Sequence, residues 1–263
     1  MEKKEIITTN FDPAFWHKRF RQQTKWTKNL RDFFFNQVDL ISNELILEVG
    51  SGTGAVIEDI NKDIAIPIFG IDISFQSLSF SHEKKYSNLN ICADALRLPF
   101  AQDTFYISYC HYLLMWVNNA TNALTEMKRV TKSSGYVVAF AEPDYGGRID
   151  YPQTLEKLGL LQNRALQMMK AQINMGRQLL DIFRELGLLD IEFGSLQHHL
   201  KNSGNNEDLL EEQVLSYDLQ MLESKPEISE KEIEELLKLD KKAWRSGKRL
   251  LYVPTFYCWG KVP

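Results

Sequence analysis

Three glycines on alternate positions, Gly50, Gly52 and Gly54, follow the apolar run Leu45-Ile-Leu-Glu-Val49, and a helix-competent stretch, Ala55 to Ile60, follows them. Glycine is required where a backbone turns with φ > 0, or presses on a ligand with no Cβ in the way. Strand, tight glycine turn and helix form the opening of a nucleotide-binding βαβ unit. The third glycine comes one residue earlier than in the dinucleotide fingerprint, which argues against a nicotinamide cofactor. Glu48 is a carboxylate inside an apolar strand, costly unless it is paired. Asp72 ends a second apolar run, Ile66 to Ile71. A carboxylate there is placed to accept both hydroxyls of a ribose. Its rival role is to cap a helix starting near Phe75, which Ser74 can do itself.

The elements that must hold these residues alternate along the chain. A third strand, Leu89 to Cys92, ends at Ala93-Asp94-Ala95. Thr104 to Cys110 makes a fourth, followed by His111 and the apolar run Tyr112 to Val117, and Gly135 to Ala141 makes a fifth. Strands alternating with helical segments predict an α/β fold with a mostly parallel sheet. Residues 11 to 36 read as helical and rich in aromatic and basic side chains. Beyond the turn Tyr145-Gly-Gly147, Gln153 to Ala171 carries apolar residues at helical spacing. Another helix opens at Gly176-Arg177 and stops at Gly187. Asp190 to Leu200 reads as a sixth strand and Leu251 to Trp259 as the last. Two helices are expected within 203–249, after the loop Ser203-Gly-Asn-Asn206, the second opened by the capping box Ser229-x-x-Glu232.

The order and spacing of four motifs resemble the class I S-adenosylmethionine-dependent methyltransferases, in their small-molecule, ubiquinone/menaquinone-type branch. The motifs are Glu48-Val-Gly-Ser-Gly-Thr-Gly54, Gly70-Ile-Asp72-Ile-Ser74, Ala93-Asp94-Ala95-x-x-Leu98-Pro99-Phe100, and Ala123-Leu-x-Glu-Met-x-Arg-Val130 leading into Gly135. They span about residues 40 to 142. One departure is Phe105-Tyr106, where the family often has Phe-Asp. The resemblance implies a Rossmann-like, seven-stranded, mostly parallel sheet whose last strand is antiparallel, with helical insertions as a lid. Residues 1–40 would form an N-terminal helical cap and 41–263 the methyltransferase domain, with insertions at about 146–175 and 203–249.

The resemblance also implies roles. Backbone at Gly50, Ser51 and Gly52 would lie against the methionine part of S-adenosylmethionine, with Glu48 facing its amino group. Asp72 would take the ribose, and Ile73 would sit beside the adenine. Asp94 would take the adenine amine unless it is only a turn residue, and Ala95 would offer a backbone N–H. Cys110 would contribute backbone at the methionine end. His111 admits three readings: core histidine, cofactor contact, or acceptor-side base. The segment Arg19 to Trp26, including Gln23, is a candidate for lid contact with cofactor and acceptor; a plain aromatic core stripe is its rival. Glu142 and Asp144 follow the fifth strand, where a carboxylate could orient or deprotonate an acceptor. Arg177 could hold an anionic acceptor or be a solvated surface residue.

Composition limits the rest. Net charge is −4 over 263 residues, so no global basic field favours nucleic acid. No run reaches the eighteen or so apolar residues of a membrane span, and Met1-Glu-Lys-Lys-Glu5 has no signal-peptide apolar core. Cys92, Cys110 and Cys258 sit in strand-like runs and read as small buried hydrophobes of a reducing compartment, so a cytoplasmic protein is expected. No cluster suggests a metal; His198-His199 would point to opposite strand faces. Lys241-Lys242 and Lys248-Arg249 read as a solvated helix end. Expectation is thus methyl transfer from S-adenosylmethionine to a small-molecule acceptor, by a monomer or homodimer. The rivals are a tRNA/rRNA-type methyltransferase and a non-catalytic S-adenosylmethionine-binding protein.

Overall fold

The computed structural model describes residues 12–40, 44–87, 89–196, 206–222 and 229–263. Its strands are β1 (Ile46–Val49), β2 (Ile68–Asp72), β3 (Asn90–Cys92), β4 (Phe105–Cys110), β5 (Thr131–Pro143), β6 (Ile149–Tyr151), β7 (Leu189–Ser195), β8 (Leu250–Tyr252) and β9 (Thr255–Lys261). The helices are α1 (Pro13–Gln37), α2 (Ala55–Ile60), α3 (Phe75–Glu83), α4 (Ala120–Val130), α5 (Glu156–Met168), α6 (Met175–Glu185), α7 (Asn206–Leu219) and α8 (Glu230–Arg245).

Seven strands form one sheet in the order β3-β2-β1-β4-β5-β9-β7. The first five run parallel, and β9 lies antiparallel between β5 and β7. This is the Rossmann-like arrangement expected. Residues alternate across β1: Leu47 and Val49 face a core shared with α4 and α6. Ile46 packs on the other face with Phe34 of α1 and Val56, Ile57 and Ile60 of α2. Glu48 shares that second face by the two-residue period of a strand. A third cluster joins α5, α7 and α8 through Leu158, Leu215 and Leu236.

Several expectations change. The run Leu251 to Trp259 is not one strand. Pro254 lacks an N–H and interrupts it; β8 turns away to pair with β6, and only β9 joins the main sheet. The insertion after β5 therefore carries a strand as well as helices. Arg249 is buried rather than solvated, at 4% exposure. The predicted helix from Gln153 opens as a 3-10 turn and ends at Met168. The cap at Ser229 forms: its Oγ accepts from Glu232 N–H at 3.2 Å. Glu232 itself pairs with Lys157 instead of returning to the cap. His198-His199 and the loop 203–205 lie outside the described residues.

Candidate functional site

The carboxyl ends of β1, β2 and β4 open on one edge of the sheet, where open α/β folds bind ligands. Gly50, Gly52 and Gly54 have φ of +77°, +51° and +78°. All three lie in the left-handed region that side chains disfavour, which explains their alternate spacing. The N–H groups of Gly50 and Ser51 both donate to Ile71 O at 2.8 Å, tying the loop to β2. Ser51 is buried with its hydroxyl toward Gly70, where a Cβ would stand 2.8 Å away. Its side chain thus packs inside the βαβ unit.

Asp72 bridges the loop to the next turn. Its Oδ2 accepts from Gly52 N–H and its Oδ1 from Ser74 N–H, each at 2.8 Å. Ser74 caps α3 by accepting from Ser77 N–H at 3.2 Å, so Asp72 is not used as the cap. Burial raises the Asp72 carboxyl, while those N–H bonds oppose the rise. Ile73 beside it is exposed. Ala93 N–H donates to Asp72 O at 3.1 Å and brings the β3 end alongside. Asp94 Oδ1 closes its own turn by accepting from Leu96 N–H at 2.9 Å, with the side chain exposed and Ala95 half-buried. Cys92 is exposed on this rim, not in the core, because it ends the edge strand.

Glu48 is only 2% exposed and accepts from Tyr109 OH at 3.1 Å. Burial pushes its carboxyl up to about 8, against the pull of Tyr109 and Arg31. Cys110 is fully buried at the end of β4, between Val49 and Ala139. Burial holds its thiol well above the usual range.

Helix α1 covers the loop and is held there by polar contacts at intervals of three and four residues. His17 Nδ1 lies 2.9 Å from Thr53 Oγ1, and the ring stacks on Tyr86 at 4.4 Å. Phe20 stands over Gly52, 3.3 Å from where a Cβ would sit. Thr27 Oγ1 lies 2.9 Å from His111 Nε2. Arg31, 2% exposed, reaches Thr27, Asp59 and, at 2.8 Å, Thr24 O. Burial and the Arg31 charge hold His111 well below its usual range, as a neutral imidazole joined to the cover. Replacing Arg31 with methionine should lower the melting temperature by roughly 4–8 °C, since it removes two contacts within α1 and leaves the partly exposed Asp59 with Lys62 alone; thermal denaturation checks this. On the neighbouring face of α1, the Arg19 guanidinium lies 4.9 Å over Trp26 and donates to Gln22 at 2.7 Å, with Gln23 half-buried.

The fifth strand runs on to Pro143, so Glu142 lies within it and only Asp144 follows it; both carboxylates are engaged. Glu142 is fully buried, and accepts from Leu113, Leu114 and Met115 N–H at 2.9, 2.7 and 3.1 Å. Burial pushes it up to about 8. It clamps the loop after β4, whose Leu113 overhangs Gly50. Asp144 accepts from Gly146 N–H at 3.1 Å and from Arg177 Nη2 at 2.7 Å. Neither Asp144 nor Arg177 stands ready for an acceptor in this arrangement. Sequence reasoning missed Tyr109, Thr27 and Arg31, whose partners are distant in the chain. The helical spacing of His17, Phe20, Thr24, Thr27 and Arg31 was the available signal.

Residues 47–139 match the Methyltransf_11 family, described as a methyltransferase domain. The mitochondrial arginine-hydroxylase NDUFAF5 of Rattus norvegicus is 35% identical over 94 residues, covering 36% of this chain and 27% of that protein. The demethylmenaquinone methyltransferase of Renibacterium salmoninarum is 30% identical over 122 residues, covering 46% of this chain and 51% of that protein. The chain thus spans between about a quarter and about half the length of these two relatives. Among solved structures, Haemonchus contortus phosphoethanolamine N-methyltransferase 2 with phosphomonomethylethanolamine and S-adenosylhomocysteine gives a TM-score of 0.59 at 14% identity. That match covers 89% of this chain and 52% of the other. Residues 47–139 thus match a methyltransferase domain, set in a Rossmann-like fold that methyltransferases of known structure share. The residues fit S-adenosylmethionine: left-handed glycines keep the loop free of Cβ atoms, and the Asp72 carboxylate stands beside the loop at the open edge of the sheet.

Proposed function

We propose that the chain transfers the methyl group of S-adenosylmethionine to a small-molecule acceptor at O, N or C. The observation that carries this reading is Asp72, whose two oxygens join the glycine loop to the turn after β2 at the ligand-binding edge. When bound, the cofactor supplies a methyl group on a positively charged sulfur, a leaving group already activated. The chain's residues then have mainly to align the acceptor and exclude water. Helix α1, with residues 1–40 as the cap of domain 41–263, is the proposed cover. Acidic overall charge weighs against a nucleic-acid acceptor. The free thiols of Cys92, Cys110 and Cys258 favour a reducing, cytoplasmic setting. Among the described residues no helix is long and apolar enough to cross a membrane.

Calorimetric titration with S-adenosylmethionine and S-adenosylhomocysteine tests the reading; failure to bind either would sink it. The rival reading is a non-catalytic S-adenosylmethionine-binding chain, kept because one partial relative is named as an arginine-hydroxylase rather than a methyltransferase. Accumulation of S-adenosylhomocysteine with acceptor panels separates the two.

Proton linkage gives a second test. Glu48 is about 8 in the folded protein, above its ordinary 4.5. An ammonium placed beside it favours the carboxylate and pulls that value down. Binding should then release a proton near pH 7 and tighten as pH rises from 6 to 8. Titrations in two buffers of different ionisation heat report the proton count.

A further inference from the structure

Phe20 is the side chain of α1 that reaches the open face of the glycine loop. Its Cε2 and Cδ2 lie 3.3 and 3.7 Å from where a Cβ of Gly52 would stand, and Asp72 Oδ2 lies 3.9 Å from the same point. An aromatic ring and a carboxylate thus meet over bare backbone at the carboxyl edge of the sheet. Polar contacts on both sides of Phe20 along α1 hold the ring there. His17, one turn before, sits 2.9 Å from Thr53 of the loop, and Thr27, two turns after, sits 2.9 Å from His111. That spacing puts all three residues on one helix face. Trp16 backs the ring at 6.0 Å. The cations next to it in sequence are directed elsewhere: Arg19 lies over Trp26, and Arg21 stands 3.8 Å from Glu58. Phe20 itself is only half-buried.

The charge at this spot follows from the covalent structure of S-adenosylmethionine, whose sulfur is bonded to the ribose 5′-carbon. With the ribose hydroxyls on Asp72 and the methionine part along Gly50, the sulfur passes Gly52, within reach of the Phe20 ring. A positive sulfur is attracted to the negative face of an aromatic ring as an ammonium is. S-adenosylhomocysteine has a neutral sulfur at the same place, because the departing methyl group leaves its bonding electron pair behind.

We propose that Phe20 is a cofactor-binding residue that recognises the sulfonium charge, so that its ring helps to hold S-adenosylmethionine but not S-adenosylhomocysteine. This rests on the methyl-transfer reading. Asp72 binds the ribose that both ligands share, whereas Phe20 separates the charged ligand from the spent one. The attraction ends when the methyl group has moved, which favours release of the product from under α1.

The test is calorimetric titration of the full chain with each ligand, for wild type, Phe20→Leu and Phe20→Tyr. Leucine keeps an apolar side chain and a good helix former, so lost packing on the loop weakens both ligands alike and cancels in the ratio of their dissociation constants. The preference for S-adenosylmethionine over S-adenosylhomocysteine should fall about threefold or more in Phe20→Leu. Phe20→Tyr keeps the aromatic face and should hold the wild-type ratio within about twofold. If the leucine variant melts well below the wild type, Phe20→Met supplies the same comparison. An unchanged ratio in the leucine or methionine variant overturns the proposal, as does an equal loss of preference in Phe20→Tyr. Tighter binding of both ligands by Phe20→Leu also overturns it, by making the ring a plug over Gly52. Wild type that binds neither ligand counts against the methyl-transfer reading and takes this inference with it; wild type that binds both leaves that reading standing whatever the ratio does.

Discussion

Asp72→Ala is expected to lower affinity for S-adenosylmethionine by about a hundredfold or more. A carboxylate that accepts from two ribose hydroxyls contributes about 1.5–3 kcal/mol per bond, and each 1.4 kcal/mol is about a factor of ten. Two further bonds disappear, those from Gly52 and Ser74 N–H at 2.8 Å, so the loop also loses its tie to the turn after β2. Both N–H groups are near solvent and can be rehydrated, so the stability cost should be smaller than the binding cost. Asp72→Asn keeps one acceptor oxygen and should fall between. Calorimetry for affinity and melting for stability separate the two effects. Unchanged affinity in the alanine variant would remove the ribose assignment.

Glu142→Ala should produce the largest loss of stability, about 4 kcal/mol or more. Three backbone N–H groups converge on this one side chain in a fully buried position, and each buried donor left without a partner costs about 1–3 kcal/mol. Glu142→Gln should be milder but still destabilising, because an amide nitrogen cannot accept from an N–H as either carboxyl oxygen can. The same side chain gives the wild type a pH dependence. Glu142 and Glu48 are both about 8 when folded and ordinarily 4.5. A carboxyl raised by folding is deprotonated more readily in the unfolded chain. Stability should therefore fall as pH rises from about 5 to 8 and level off above that. Denaturant midpoints across this range would show a rising trend if the opposite held.

Much of the cofactor half was legible because its signals are local. The glycine spacing encodes three left-handed φ values, and α2 begins and ends where its sequence predicts, at Ala55 and Ile60. Asp72 and Ser74 divide the anchoring and capping roles as their adjacency suggests. The polar partners across the fold were not legible. Arg31 meets Asp59, Thr27 meets His111, and Glu142 meets the loop at 113–115, each by contacts that no short window contains. Asp144 looked like a base after a strand, yet Arg177 neutralises it from α6. Cys92 looked like core because its strand is apolar, but it sits at the open end of an edge.

The join between β7 and β9 has an evolutionary consequence. Ser195 pairs with Phe256, and Leu196 N–H donates to Thr255 O at 2.8 Å. The two ends of the intervening segment, which carries α7, α8 and β8, therefore leave the sheet side by side. A stretch whose ends meet at a hairpin can be lengthened, shortened or exchanged with little disturbance to the strands that bear it. The half of the molecule that holds Asp72 and the glycine loop could thus stay constant while lineages traded the cassette above it, acquiring new acceptors by recombination at a single site rather than by reworking the cofactor pocket.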